Sequence, residues 1–329
     1  MGSSATKSAI FSQPEEIERL VDIDLYEYAL RLADCNRIWL VGTGTSLHAA
    51  ELGAAMFAEF GMDARPKSAM DFVRFSPTLR ADDGVVVISH TAETAFALSA
   101  RARAIEVGST LVSITRKDSG WPEAIETVTK ESSETYTVSY TTTLLVLAKI
   151  AASLDTSSVF GGDLSRVSEA TQKALEYSDI EEITPPSRAL VLAGVGPAAV
   201  TAREGALKVR EASRVLAEGY DAEYLLHGSA VPLGSEDCLV LLRPPEDPDG
   251  LLTTVGQAAE AEGVIVFSIE EPACLHPLLS QIPLTVRLQI LALRFAKERG
   301  HNADVAITGA WTEDHLWDLG AHDEGLEIS

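Results

Sequence analysis

Six short runs rich in β-branched and aliphatic residues recur along the chain, each followed by a turn and an amphipathic stretch. That alternation leaves few folds open. The runs are Arg37–Val41, Val85–Ser89 and Thr110–Ile114 in the first half, then Ala189–Ala193, Leu239–Leu242 and Val264–Ser268 in the second. Alternating strands and helices specify an α/β fold on parallel sheets, because parallel neighbours need a helical crossover. The runs also repeat. Gly44 and Gly196, Val87 and Leu239, and Val112 and Val264 are each 152 positions apart. Three coincident spacings in one order predict two copies of a βαβ domain. Each copy is expected to close with a weaker run, Thr135–Ser139 and Leu284–Leu288, and a further helix. The domain reading is an N-terminal arm over 1–34 with an amphipathic helix at 14–34 packed on the first copy. The first domain then covers 35–156, a linking helix 157–178 and the second domain 179–329. The tail after Asn302 has no periodicity that assigns it.

At 329 residues, 46% of them hydrophobic, the chain is long enough for two cores. No apolar run is long enough to span a bilayer, and the first residues lack the apolar core of a secretory signal. Cys35, Cys238 and Cys274 are odd in number and lack metal-ligand spacing, which predicts buried thiols in a reducing, cytoplasmic compartment. A formal charge of −23 opposes nucleic-acid binding. It also repels anionic ligands at long range, so any phosphate site must act through local dipoles and hydrogen bonds.

The stretch from Pro197 to Gly219 reads as one helix of roughly six turns, with proline at its first position and glycine as its stop. Ala202, Val209, Ala212 and Leu216 form its apolar face, and Arg203, Arg210 and Arg214 a basic face expected to meet solvent. Glu204, Lys208 and Glu211 fall in line on a third face. A surface pair of the ordinary i,i+4 kind fits Glu204 and Lys208. Because the arginines already occupy the solvent side, a charged row turned into a cleft fits equally.

A second group of polar residues follows the strands of the first copy. The first strand runs into Gly42-Thr43-Gly44-Thr45-Ser46, and the second into Ser89-His90-Thr91-Ala92-Glu93-Thr94. Ser139 follows the strand-like run Glu134–Val138. Each hydroxyl taken alone fits a helix N-cap. Three clusters at three strand ends are better explained by one shared polyhydroxyl or phosphate ligand, because open parallel sheets bind ligands beyond their carboxyl ends. A full Gly-x-Gly-x-x-Gly is absent, which argues against a dinucleotide. The second copy keeps Gly194-Val195-Gly196-Pro197 but has no such hydroxyls, so ligand binding is expected in the first.

With these residues in place the chain resembles the double sugar-isomerase (SIS) domain family, and most closely the isomerase half of glucosamine-6-phosphate synthase. The resemblance covers Ile10 to about Gly300. The family's sugar-phosphate turns stand here as Gly44-Thr45-Ser46, Ser89-His90-Thr91-Ala92-Glu93-Thr94 and Ser139. Its Glu-Gly-Ala-Leu-Lys-x-Lys-Glu helix stands as Glu204 to Glu211, and its His-Gly as His227-Gly228. The resemblance implies two tandem flavodoxin-like, three-layer αβα domains with parallel sheets. It also implies a 6-phosphosugar substrate, a homodimer with the active site at the subunit interface, and no metal or organic cofactor. Ligand residues would be Gly44, Thr45, Ser46, Ser89, His90, Thr91, Thr94 and Ser139. Glu211 would move a proton between C1 and C2, Glu204 and Lys208 would orient the hydroxyls and the base, and His227 of a neighbouring subunit would open the ring. His90 and Ala92 replace the family's Gln and Gly. There is no glutaminase segment and no lysine after Lys297, so isomerase chemistry is expected without synthase activity. The expected reaction is an amino-sugar-6-phosphate deaminase–isomerase. A deglycase of a 6-phosphorylated sugar–amine adduct and a non-catalytic sugar-phosphate regulator are the alternatives.

Overall fold

A computed structural model describes residues 4–75, 78–153 and 160–320. The chain opens with two helices, α1 (Ala5–Val21) and α2 (Tyr26–Ala33), where the sequence pattern predicts one over 14–34. Next come β1 (Arg37–Gly42), α3 (Thr45–Ala58), β2 (Ala64–Ser68), α4 (Ala69–Arg74), β3 (Asp83–Ile88), α5 (Ala95–Val107), β4 (Thr110–Thr115), β5 (Ala124–Glu126) and α6 (Val138–Ala152). The rest of the chain forms α7 (Gly161–Leu164), α8 (Val167–Glu176), β6 (Ala189–Gly194), α9 (Pro197–Ser213), β7 (Leu216–Asp221), α10 (Ala222–Tyr224), β8 (Cys238–Arg243), α11 (Leu251–Ala261), β9 (Ile265–Glu270), α12 (Pro277–Arg299) and α13 (Asp314–Trp317). A π-type turn at Leu225–Ser229 and a 3₁₀ turn at Gly309–Thr312 complete it.

Two compact units result. One gathers residues 20–131, 142–153 and 307–320 around a five-stranded sheet, and the other residues 4–19, 132–141 and 160–306 around a four-stranded sheet. All pairings are parallel, in the orders β2-β1-β3-β4-β5 and β7-β6-β8-β9. Strands buried on both faces read as continuous apolar runs, which is why β1, β3, β4, β6 and β8 are legible in the sequence. In the four-stranded unit Leu190 and Leu192 turn to one face with Ala202, Ala206 and Leu288 of α9 and α12. Val191 and Ala193 turn to the other with Leu252 and Val255 of α11. In the five-stranded unit Trp39, Val41, Val85 and Val87 meet α4 and α5 through Phe72, Ala97 and Ala100. Each unit is thus an αβα sandwich.

The strand register corrects the repeat. Ile38 lies opposite Gly84, and Leu190 opposite Cys238, so the offset of 152 in β1 and β6 becomes 154 in β3 and β8. Val86 faces Val112, and Val240 faces Phe267, which makes it 155 in β4 and β9. The equivalent of Val87 is therefore Leu241 rather than Leu239, and Val264 lies just outside its strand. Loop insertions ahead of β8 and β9 account for the slip. The repeat extends to a clasp at the strand starts. Asp83 accepts from Arg37 and from the Arg80 N–H, and Asp237 accepts from Arg188 and from the Gly234 N–H.

Other expectations change. Thr135–Ser139 is not a strand: Thr137 immediately precedes α6, and Ser139 is in its first turn. Leu284–Leu288 lies inside α12. The helix from Pro197 ends at Ser213, and Gly219 belongs to β7, with Leu216 exposed. In α1, Ile10 packs against Ala174 and Val286 of the four-stranded unit, and in α2 Arg31 donates to the Leu111 carbonyl of the five-stranded one. The expected start of the linking helix, including Ser157, lies outside the described residues.

Candidate active site

At the end of β1 the backbone turns sharply into α3. A Cβ on Gly42 would stand 2.4 Å from the Ser46 carbonyl carbon, and Gly44 sits at φ +56°, so both positions exclude a side chain, one by space and one by conformation. Gly194 and Gly196 repeat the turn, at 2.6 Å from the Ala198 carbonyl carbon and φ +54°. No side chain caps α3 at Gly44, and Thr45 and Ser46 are half-buried in its first turn. A helix N-terminus of this kind favours an anion.

Beside it, β3 ends in Ser89, which is 4% exposed and whose buried Oγ has no hydrogen-bond partner among the described residues. A buried hydroxyl without a partner is costly, and a ligand oxygen would satisfy it. Thr91 is half-buried and caps the Glu93 N–H, while Thr94 is exposed at the start of α5. Ala92 holds a left-handed φ of +59°, a conformation that glycine adopts freely. The His90 ring accepts from the Glu131 N–H through Nε2 at 3.0 Å. Burial first, then the positive charges of Arg116 and Lys130, push its pKa down to about 4, so it is neutral at physiological pH with its proton on Nδ1.

The loop is also pinned by charges that sequence reasoning missed. Glu93 meets Lys130 at 2.7 Å and Arg116 at 3.7 Å, and the Arg116 N–H donates to the His90 carbonyl. The signal for Arg116 is its position directly after β4, at the carboxyl end of a central parallel strand. Ser139 joins no strand end. It is buried in α6, within the segment grouped with the four-stranded sheet. The β-branched run before it has the composition of a strand, but it leads directly into an apolar helix.

In α9 the three charged residues form one row. Glu204 and Lys208 are completely buried, which excludes an ordinary surface pair. Lys208 Nζ lies 3.6 Å from Glu204 and 2.6 Å from Glu211, whose side chain is 20% exposed. Burial pushes the Glu211 carboxyl up. The Lys208 charge and hydrogen bond oppose that, and Glu204 adds to it. The row therefore holds two carboxylates around one cation, with the outer carboxylate open to a ligand and biased toward keeping its proton. The arginine face does not meet solvent as expected. Arg203, Arg210 and Arg214 are all half-buried, because α9 is covered by α12 and β7.

His227 is not part of this row. It is exposed in the π-type turn, where Gly228 takes φ +113°, and it makes no hydrogen bond or ion pair among the described residues. Beneath the turn a small hollow is lined by Leu225, Leu226, Leu233, Val255 and Val264, with Glu262 its single charged residue. It offers no donor set for a phosphate. Among the described residues no group of three His, Cys, Asp or Glu is placed to hold a metal ion. No helix among them is long and apolar enough to cross a membrane.

Residues 31–152 match the SIS domain model. The chain is homologous to the isomerase half of glutamine–fructose-6-phosphate aminotransferases. One from Thermococcus kodakarensis is 26% identical over 332 residues, covering 90% of this chain and 55% of the relative. The chain spans about half the length of the curated relatives it matches. The C-terminal domain of a Francisella tularensis glucosamine-fructose-6-phosphate aminotransferase shares the fold at TM-score 0.79 and 20% identity, over 92% of this chain and 98% of that one. A glucosamine-6-phosphate deaminase from Thermotoga maritima shares it at TM-score 0.78 and 19% identity, over 92% and 97%.

Proposed function

We propose that the protein is a phosphosugar aldose–ketose isomerase of the amino-sugar-6-phosphate deaminase type, converting glucosamine 6-phosphate to fructose 6-phosphate and ammonium. The observation that carries this reading is the buried Glu204–Lys208–Glu211 row, with its outer carboxylate raised by burial. A carboxylate tuned upward takes a proton beside a carbonyl and returns it to the adjacent carbon at near-neutral pH. In the open-chain aldose Glu211 removes the C2 proton and returns it to C1, while a proton passes from the C2 nitrogen to O1, which leaves an imine at C2. Water then adds and ammonium leaves. Lys208 and Glu204 hold the base, and the Ser89 hydroxyl with the turns at Gly44–Ser46 and Thr91–Thr94 is proposed separately, within the five-stranded unit, to take a phosphate. The names of the relatives, an aminotransferase and a deaminase of amino-sugar phosphates, support the same substrate class.

The chain acts as a homodimer in this reading, and an exposed His227 without a partner of its own is available to a neighbouring copy. The test is phosphorus and carbon NMR with glucosamine 6-phosphate. Fructose 6-phosphate and ammonium are expected from the wild type and not from Glu211→Gln. Exchange at C2 without nitrogen loss reduces the reading to a plain isomerase, and no turnover of any 6-phosphosugar sinks it.

A further inference from the structure

We propose that Arg214 is a positioning residue for Glu211, acting by tying the end of α9 to residues 303–306. This rests on the function proposed above. The position after α9 has φ +58°, the left-handed conformation that helices normally end on with glycine. An arginine held there is an outlier, and such outliers persist only where the surroundings over-determine them. Its guanidinium accounts for the choice. Nη1 donates to the Glu211 carbonyl and, at 2.6 Å, to that of Ala306, while Nη2 donates to the Val305 carbonyl at 2.6 Å. A glycine would close the helix equally well but could not reach the second segment.

That segment is held from its other side by residues leading into α6. The Ala306 N–H donates to Glu134 at 2.8 Å, the Glu134 N–H to the Asp304 carbonyl at 2.9 Å, and the Thr135 hydroxyl to the Ala303 carbonyl at 2.7 Å. Asp304 in turn accepts from Thr6 and Ala5 of α1. Residues 303–306 thus form a strap joined to the Glu211 turn by the planar fork of Arg214. Lysine cannot reproduce that fork.

The test compares Arg214→Gly, Arg214→Lys and Glu134→Ala with wild type. Glycine suits the backbone, so Arg214→Gly should fold. Its Ala306 and Glu134 amides should exchange hydrogen at least about tenfold faster, and kcat on glucosamine 6-phosphate should fall about tenfold or more, as small misplacements of a base do. KM should stay within about threefold, since the phosphate turns are untouched. Arg214→Lys should recover part of kcat, and Glu134→Ala, which loosens the strap from the other side, should lose kcat in the same way. Unchanged exchange, unchanged kcat, or a rise in KM alone would each overturn the inference. A wild type that turns over no 6-phosphosugar removes the proposed function first and this role with it, whereas an active wild type with a fully active Arg214→Gly removes this role alone.

Discussion

Lys208 shows how much depends on one buried charge. With Glu204 and Glu211 at 3.6 and 2.6 Å, it is a cation set between a buried carboxylate and a partly exposed one. Removing one partner from a buried ionic group typically costs about 3–5 kcal/mol. We expect Lys208→Met to lose stability of that order in urea titrations, and Lys208→Met with Glu204→Gln to regain part of it. A single mutant as stable as wild type would mean the row is solvated after all. Glu211 brings a pH signature. Its carboxyl is raised in the folded protein, so the folded state holds that proton more tightly than the unfolded one. Its contribution to stability is therefore present at low pH and lost as pH rises through the raised value. As a base it must be ionised, so the acid limb of kcat should lie above the ordinary carboxylate range, around 4.5. Glu211→Gln should abolish turnover and flatten the stability loss over the same interval. A limb at or below the ordinary value would remove Glu211 as the base.

At the scale of elements, the two glycine turns separate space from conformation. A Cβ at Gly42 would collide with backbone at 2.4 Å, whereas one at Gly44 meets nothing within 4 Å and is opposed only by φ +56°. Gly44→Ala should therefore cost about 1–3 kcal/mol, since its ψ of −126° lies outside the left-handed helical well, and Gly42→Ala distinctly more, because no flexible atom can yield. Thermal melting of the two variants checks the order. These turns were legible because paired glycines directly after an apolar run suit little besides a tight strand-to-helix turn. So were the central strands. The edge strands β2 and β7 were not, since Ala-Arg-Pro-Lys-Ser and Leu-Ala-Glu-Gly-Tyr-Asp carry the polar, proline-tolerant composition that edges allow. Reading β7 as the continuation of α9 followed from the same composition: Leu216 continues the helical period, and the true stop is an arginine in a conformation that sequence rules reserve for glycine. The charged row was legible as a line on a helix. Its burial was not, because it depends on α12 packing over α9 from far along the chain, as the hydrogen bond from Thr201 to Gln281 illustrates.

For the whole molecule the dominant fact is a net charge of −23 on 329 residues. Such a charge repels itself in the compact state and repels a phosphate ester approaching from solvent. Screening extends over roughly 10 Å at 0.1 M salt, so long-range repulsion fades with added salt while contacts at the Gly44 and Ser89 turns do not. The turns themselves rest on a helix terminus and hydroxyls rather than on a free cation, because Arg116 and Lys130 are engaged by Glu93. Binding of glucosamine 6-phosphate should therefore tighten, through a faster association rate, as sodium chloride rises from about 0.02 to 0.2 M. The melting temperature should rise over the same range. Most phosphate sites built on lysine and arginine behave the opposite way, losing affinity with salt. Stopped-flow association at several ionic strengths, read with the Glu211→Gln protein so that no turnover intervenes, distinguishes the two. Affinity that falls with salt would mean that Arg116 or Lys130 leaves Glu93 to meet the phosphate, and would make the loop's ion pairs part of the binding site rather than its frame.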